Sequence, residues 1–206
     1  MLFRSNPNNQ YAVSKYCQEL YALKLGEKYE VPTVLLRYSI TQGPRQSFFN
    51  AYSGILRTFS LQLLNGRAPT IYEDGRQLRD YVHVSDVARA NLLVMEQDAA
   101  NYRAFNVGGG GVATVLDYAR LLISSTHSNT EPALGGEFRW GDVRHIRSDT
   151  SSLNTLGWNP TKTLAETATD YLGWVQSQPE AVDTSAHAAA VMRQMGVIRD
   201  SAPGTA

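Results

Sequence analysis

The chain has little of several things, and each shortage excludes a class of protein. It holds one cysteine, Cys17, so it has no internal disulfide framework. That usage fits a reducing compartment, the cytoplasm, with packing on its helix as the expected role of Cys17. Charge of one sign is missing: 19 basic and 19 acidic residues cancel to a formal net charge of zero. Without a cationic field there is no footprint for nucleic acid or an anionic membrane, so any anion must be held locally. Lysine is scarce, four against fifteen arginines, and the planar arginine fork suits phosphate. No apolar run approaches the roughly 20 residues of a membrane span, and residues 1–5 are too short and polar to lead into a signal peptide. The four histidines, His83, His127, His145 and His187, lack metal-ligand spacing, so no metal is expected. The glycine run at 108–111 lacks the following Lys-Ser/Thr of a P-loop and the setting of a G-x-G-x-x-G turn.

What is present is a soluble-protein composition, 43% hydrophobic and 18% charged, with alternating helix and strand signals. Asn8 and Asn9 can cap a helix over 10–29, followed by an apolar run at 33–38 typical of a strand buried on both faces. A helix is predicted over 52–64, short strands at 70–72 and 80–84, and a helix over 87–95 capped by Ser85 and Asp86. A strand at 104–107 precedes a helix over 114–123. The segment 127–136 reads as a loop, and Ser148-Asp149 as the cap of a short helix ending at Leu156-Gly157. Helices follow over 164–175 and 185–195, with 201–206 disordered. The order argues for α/β. Only 33–38 and 104–107 read as parallel strands, and two do not make a stable domain, so the chain is expected to be incomplete or to depend on a partner.

Tyr11-Ala12-Val13-Ser14-Lys15 places a phenol and an ammonium one turn apart on a single helix face. A neighbouring ammonium favours the phenolate, which makes a proton acceptor. Eight further motifs follow in one order: Arg37-Tyr38, Gly43-Pro44-Arg45-Gln46, Asp74-Gly75, Arg79-Asp80-Tyr81-Val82-His83-Val84, Asp86-Val87, Phe105-Asn106-Val107-Gly108, Gly141-Asp142-Val143-Arg144-His145 and Leu156-Gly157-Trp158-Asn159-Pro160. Together they resemble the C-terminal part of an extended short-chain dehydrogenase, the NAD-dependent epimerase/dehydratase family acting on nucleotide sugars. The resemblance spans about residues 5–176.

That resemblance implies the rear of a Rossmann-like doubly wound parallel sheet plus a small α/β substrate-binding domain. Residues 1–50 would be the rear of the NAD-binding domain, 51–178 a mixed substrate-binding region with 80–126 returning to the Rossmann sheet, and 179–206 an Ala-rich, partly disordered tail. It implies Tyr11 as acid/base and Lys15 on the nicotinamide ribose, with Tyr38 and Ser39 running past an NAD cofactor. Arg79 and Arg144 would contact the diphosphate of a nucleotide-diphosphate sugar, with a surface ion pair as the alternative for each. Arg45, Gln46, Asn50, Tyr52 and Tyr72 would line the cleft, and His83 would be structural. Many members carry Asn where this chain has Ile40, so substrate binding is expected to depart from the common pattern. The implied activity is 4-epimerisation through a keto intermediate. The alternatives are a 4,6-dehydratase or a non-catalytic fragment, because the Gly-rich cofactor turn is absent. The isolated chain is expected to be inactive and to bind NAD poorly. The full-length form is expected to be a homodimer, with Leu20, Tyr21 and Leu23 of the first helix left as an apolar stripe.

Overall fold

The computed structural model describes residues 7, 9–48 and 54–200. Helix α1 (Gln10–Tyr29) starts where the side-chain oxygen of Asn9 accepts from the Ala12 N–H at 2.8 Å. There follow β1 (Val34–Tyr38), β2 (Ile40–Gln42), α2 (Ile55–Leu64), β3 (Thr70–Ile71), β4 (Leu78–Arg79) and β5 (Tyr81–His83). Next come α3 (Val84–Met95), β6 (Arg103–Val107), β7 (Ala113–Thr114), α4 (Val115–Ser125), β8 (Ala133–Leu134) and β9 (Glu137–Arg139). The chain closes with α5 (Ser151–Asn154), α6 (Leu164–Gln176), α7 (Ser185–Gln194) and β10 (Ile198–Asp200). Helix α2 begins later than the sequence predicts, because Gly54 is not helical (ψ 174°).

The strand run after α1 forks. β1 lies parallel to β6, from Val34 opposite Arg103 to Tyr38 opposite Val107. The Ser39 N–H donates to Val107 O at 2.8 Å, but the next N–H, of Ile40, donates to Asp80 O at 3.0 Å. From there β2 runs parallel to β5, with Ile40 opposite Tyr81. There is thus more parallel pairing than the sequence predicts, and β8, inside the segment 127–136 read as a loop, adds a third parallel pair with β3. Strands of two or three residues have too few positions for alternation to show. β4 pairs with β7, and β9 with β10, antiparallel. β1 is only half-buried along its length, contrary to the expectation of two covered faces. Among the described residues β6 is its sole strand partner. Cys17 is exposed on α1, not packed.

Two apolar cores carry most of the burial. One joins α2, α4 and α6 through Leu56, Phe59, Tyr118, Leu122 and Tyr171. The other sets α3 and β6 against Leu153 and Trp158. Helix α3 is capped differently from the sequence expectation. His83 Nδ1 accepts from the Ser85 N–H at 3.1 Å, so the helix opens at Val84. His83 is buried and structural in that sense. Asp86, freed from capping, is fully buried and accepts from the Thr161 N–H and hydroxyl, the Lys162 N–H and Arg89. Its backbone oxygen accepts from Trp158 Nε1 at 3.1 Å. Burial opposes the Asp86 charge, but these donors outweigh it and hold the carboxyl below its ordinary range. Ser148 does not cap α5 either; it turns to Ser39, and Asp149 Oδ1 accepts from the Ser151 N–H.

In the glycine run after β6, close approach requires glycine at 108 and 109. A Cβ on Gly109 would stand 1.7 Å from the Tyr81 carbonyl oxygen.

Candidate functional site

Tyr11 and Lys15 lie on the open face of α1. Tyr11 is 71% exposed, and Lys15 Nζ sits 5.7 Å from the centre of its ring. Among the described residues no carboxylate pairs with Lys15. The helix is held to β1 by a two-pronged bond from Arg37 to Glu19, one prong at 2.7 Å. Tyr38, the next residue, is not a core side chain: it is half exposed, and its hydroxyl donates to Asn91 Oδ1 at 3.0 Å. Ser39 occupies the fork, with its Oγ 2.5 Å from Ser148 Oγ. Buried Asp80 braces this point, accepting from the Ser148 N–H at 3.1 Å and the Gly109 N–H at 2.7 Å.

A cavity of about 510 Å³ opens between α2, β3, β5 and α7. Of the residues predicted to bind substrate, Tyr72 and Arg79 line it, and so does Ile40. Burial pushes the Tyr72 phenol up, so it is a neutral donor. Arg79 Nη1 donates to the Leu78 and Arg144 carbonyls at 3.0 and 2.8 Å and has no carboxylate partner among the described residues. The Arg144 guanidinium instead bonds Glu73 and, at 2.7 Å, Asp74, as the surface-pair reading of that residue has it. Arg144 is not among the cavity's lining residues. Arg45 is exposed, with a left-handed φ of 70°. Gln46 has a buried Oε1 with no partner among the described residues. Asn50 and Tyr52 lie outside the described residues.

The Arg144 bond and the Arg76 N–H hold the Asp74 carboxyl down at about 2. Because this value lies below the unfolded value of about 3.9, the pair contributes fully above pH 4 and is lost as pH falls toward 2. A carboxyl-carbon NMR titration is expected to place the Asp74 midpoint near 2, moving up toward 4 in Arg144→Ala.

Sequence reasoning missed Arg57, Gln62, Gln77 and Arg139, all on the cavity wall. Arg57 is 1% exposed and donates to Phe48 O at 2.8 Å and to Thr184 Oγ1 at 3.2 Å, while its Nε has no partner among the described residues. Burial draws its pKa down. Its signal was present: a charge standing among apolar residues on the inward face of α2. The cavity-lining role of α7 was missed altogether, since its alanines read as composition and not as a surface.

Comparison with known proteins places these features in a family context. The model of the NAD dependent epimerase/dehydratase family matches residues 2–108. The dTDP-L-rhamnose 4-epimerase of Burkholderia thailandensis is 35% identical over 175 residues, 84% of this chain and 47% of that protein. Among solved structures, the UDP-glucose 4-epimerase of Thermotoga maritima, determined with UDP-glucose, superposes with a TM-score of 0.76 at 34% identity. The match covers 81% of this chain and 53% of that one. The UDP-N-acetylglucosamine 4-epimerase of Methanobrevibacter ruminantium, in complex with UDP-N-acetylmuramic acid, gives a TM-score of 0.79 at 31% identity, covering 86% and 57%. The chain spans about half the length of the relatives it matches.

Proposed function

This chain belongs to the NAD dependent epimerase/dehydratase family, and from that premise we propose that it carries the Tyr–Lys pair and sugar-nucleotide cleft of a nucleotide-sugar 4-epimerase. The observation that carries the substrate assignment is Arg79, a guanidinium on the wall of a 510 Å³ cavity with no carboxylate partner among the described residues. Arg57 and Arg139 line the same cavity in the same condition. A diphosphate supplies the missing counter-charge.

In this reading Tyr11 Oη takes the proton from a sugar hydroxyl and returns it after the keto intermediate has turned over. The chemistry that NAD supplies when bound is reversible hydride acceptance. The residues present suit it. Lys15 offers an exposed ammonium for ribose hydroxyls, and Tyr38 and Ser39 stand at the C-terminal end of parallel β1, where ligand crevices form. Ile40 presents hydrocarbon to the cleft, so the sugar nucleotide gains no side-chain hydrogen bond there. Arg144 would join the diphosphate by exchanging its pairs with Glu73 and Asp74 for the phosphates. A homodimer fits the exposed Leu20 and Tyr21 of α1.

The test is calorimetry with UDP and dTDP. Arg79→Ala is expected to raise Kd roughly 10- to 150-fold, the loss of a charged hydrogen bond of about 1.5–3 kcal/mol. An unchanged Kd would return Arg79 to a structural role.

A further inference from the structure

Resting on that reading of the cavity, we infer that helix α7 is the wall against which the nucleobase of the ligand packs, with Ala189 setting the room available to it. Ser185, Ala188, Ala189, Met192 and Arg193 recur at i, i+3, i+4, i+7 and i+8, one helical face, and all five line the cavity. The helix is fixed at both ends. At its start Thr184 Oγ1 accepts from Arg57, Ser185 Oγ accepts from Gln62 Nε2 at 3.4 Å, and Asp183 pairs with Arg67. At its end Arg193 grips Glu137 with two bonds of 2.7 Å, and β10 is laced to β9. A wall held this way has a definite position, which a specificity surface needs.

The direction of the ligand follows from α2, which runs along the cavity. Gly54, at its start, neighbours Ile40, one residue beyond Ser39. Gln62, about 12 Å further on by helix rise, bonds Thr70 and Ser185. The sugar must reach the β1 end, where Tyr38 and Ser39 stand, so the nucleoside occupies the end bounded by α7. Two features there suit a base. Tyr72 packs against the cluster of Ala188, Met192 and Ile198, giving an aromatic and a polarizable surface for a flat ring. Gln77, 4% exposed, donates to Tyr72 O at 2.9 Å, and its buried Oε1 on the cavity wall has no partner among the described residues. That oxygen awaits a donor such as a base N–H.

The experiment is calorimetry on the full chain with two probes, UDP and inorganic pyrophosphate, which lacks the base. Ala189→Leu extends a side chain into the cavity. Ala190→Leu makes the same change one position on, at an exposed residue off the lining. Ala189→Leu is expected to weaken UDP tenfold or more and leave pyrophosphate unchanged, with Ala190→Leu matching the parent for both and all three melting alike. UDP unaffected by Ala189→Leu but weakened by Arg79→Ala would overturn the α7 assignment while the diphosphate reading stands. Loss of both probes in Ala189→Leu would also overturn it, as a general distortion of the cavity. A parent chain that binds neither probe would sink the cavity reading and the α7 wall together.

Discussion

Tyr11→Phe is expected to lower epimerase turnover 10²- to 10⁴-fold, the range lost with a general acid–base group. The measurement uses this chain joined to an NAD-binding front half from a relative, followed by chromatography of the two sugar epimers. The substitution keeps the ring beside Lys15 and removes only the hydroxyl, on a side chain already 71% exposed. Folding and nucleotide-sugar affinity are therefore expected to stay within about twofold of the parent, and the loss falls on kcat. A KM effect with unchanged kcat would make Tyr11 a binding group. Wild-type turnover would remove it from the chemistry.

The largest effect on stability is expected at Asp86. Its carboxylate is the common acceptor for Thr161, Lys162 and Arg89, and its backbone oxygen holds Trp158, so one residue joins α3 to the segment before α6. Asp86→Ala leaves the Thr161 and Lys162 donors unmet inside the fold, at about 1–3 kcal/mol each, and is expected to cost about 3–5 kcal/mol in all. In a domain of this size that is a fall of roughly 6–20 °C in Tm. The sign with pH is fixed by the direction of the shift. The folded carboxyl lies below its unfolded value of about 3.9, so its contribution is complete above that pH and is lost as pH falls through the folded value. Denaturant melts between pH 3 and 7 check both points: the parent loses stability toward acid more steeply than the variant. Equal slopes would mean that Asp86 is not a charged acceptor.

Elements with a long period were legible in the sequence. Helix α1 shows its Asn9 cap, and α6 carries a Thr163–Glu166 capping box at its start. β1 and β6 were each legible as apolar runs of a parallel sheet, and the structure pairs them. The fork at Ser39 was not legible, because β2 and β5 have three residues each and their partnership is decided by Asp80 O meeting the Ile40 N–H. The capping of α3 misled for a related reason. Ser85 and Asp86 are both good cap residues, and packing against Thr161 and Trp158 drew Asp86 inward, leaving His83 to cap. Within the candidate site, Arg79 stood in a motif, and Tyr72 was named beside it as a residue of the cleft; both line the cavity. Arg57 and Gln77 were not, since their distinction is burial without a full set of partners, which exists only once α2, β3 and α7 have met.

The exposure of Cys17 has a practical consequence. It is the chain's only thiol, and it stands on α1 two residues beyond Lys15, about 200° round the helix from it. A maleimide fluorophore would attach at this one position and project away from the Tyr11–Lys15 face. Its anisotropy and emission would then register whatever comes to lie along that side of α1, a front half or a second copy, without obstructing the groups assigned to proton transfer.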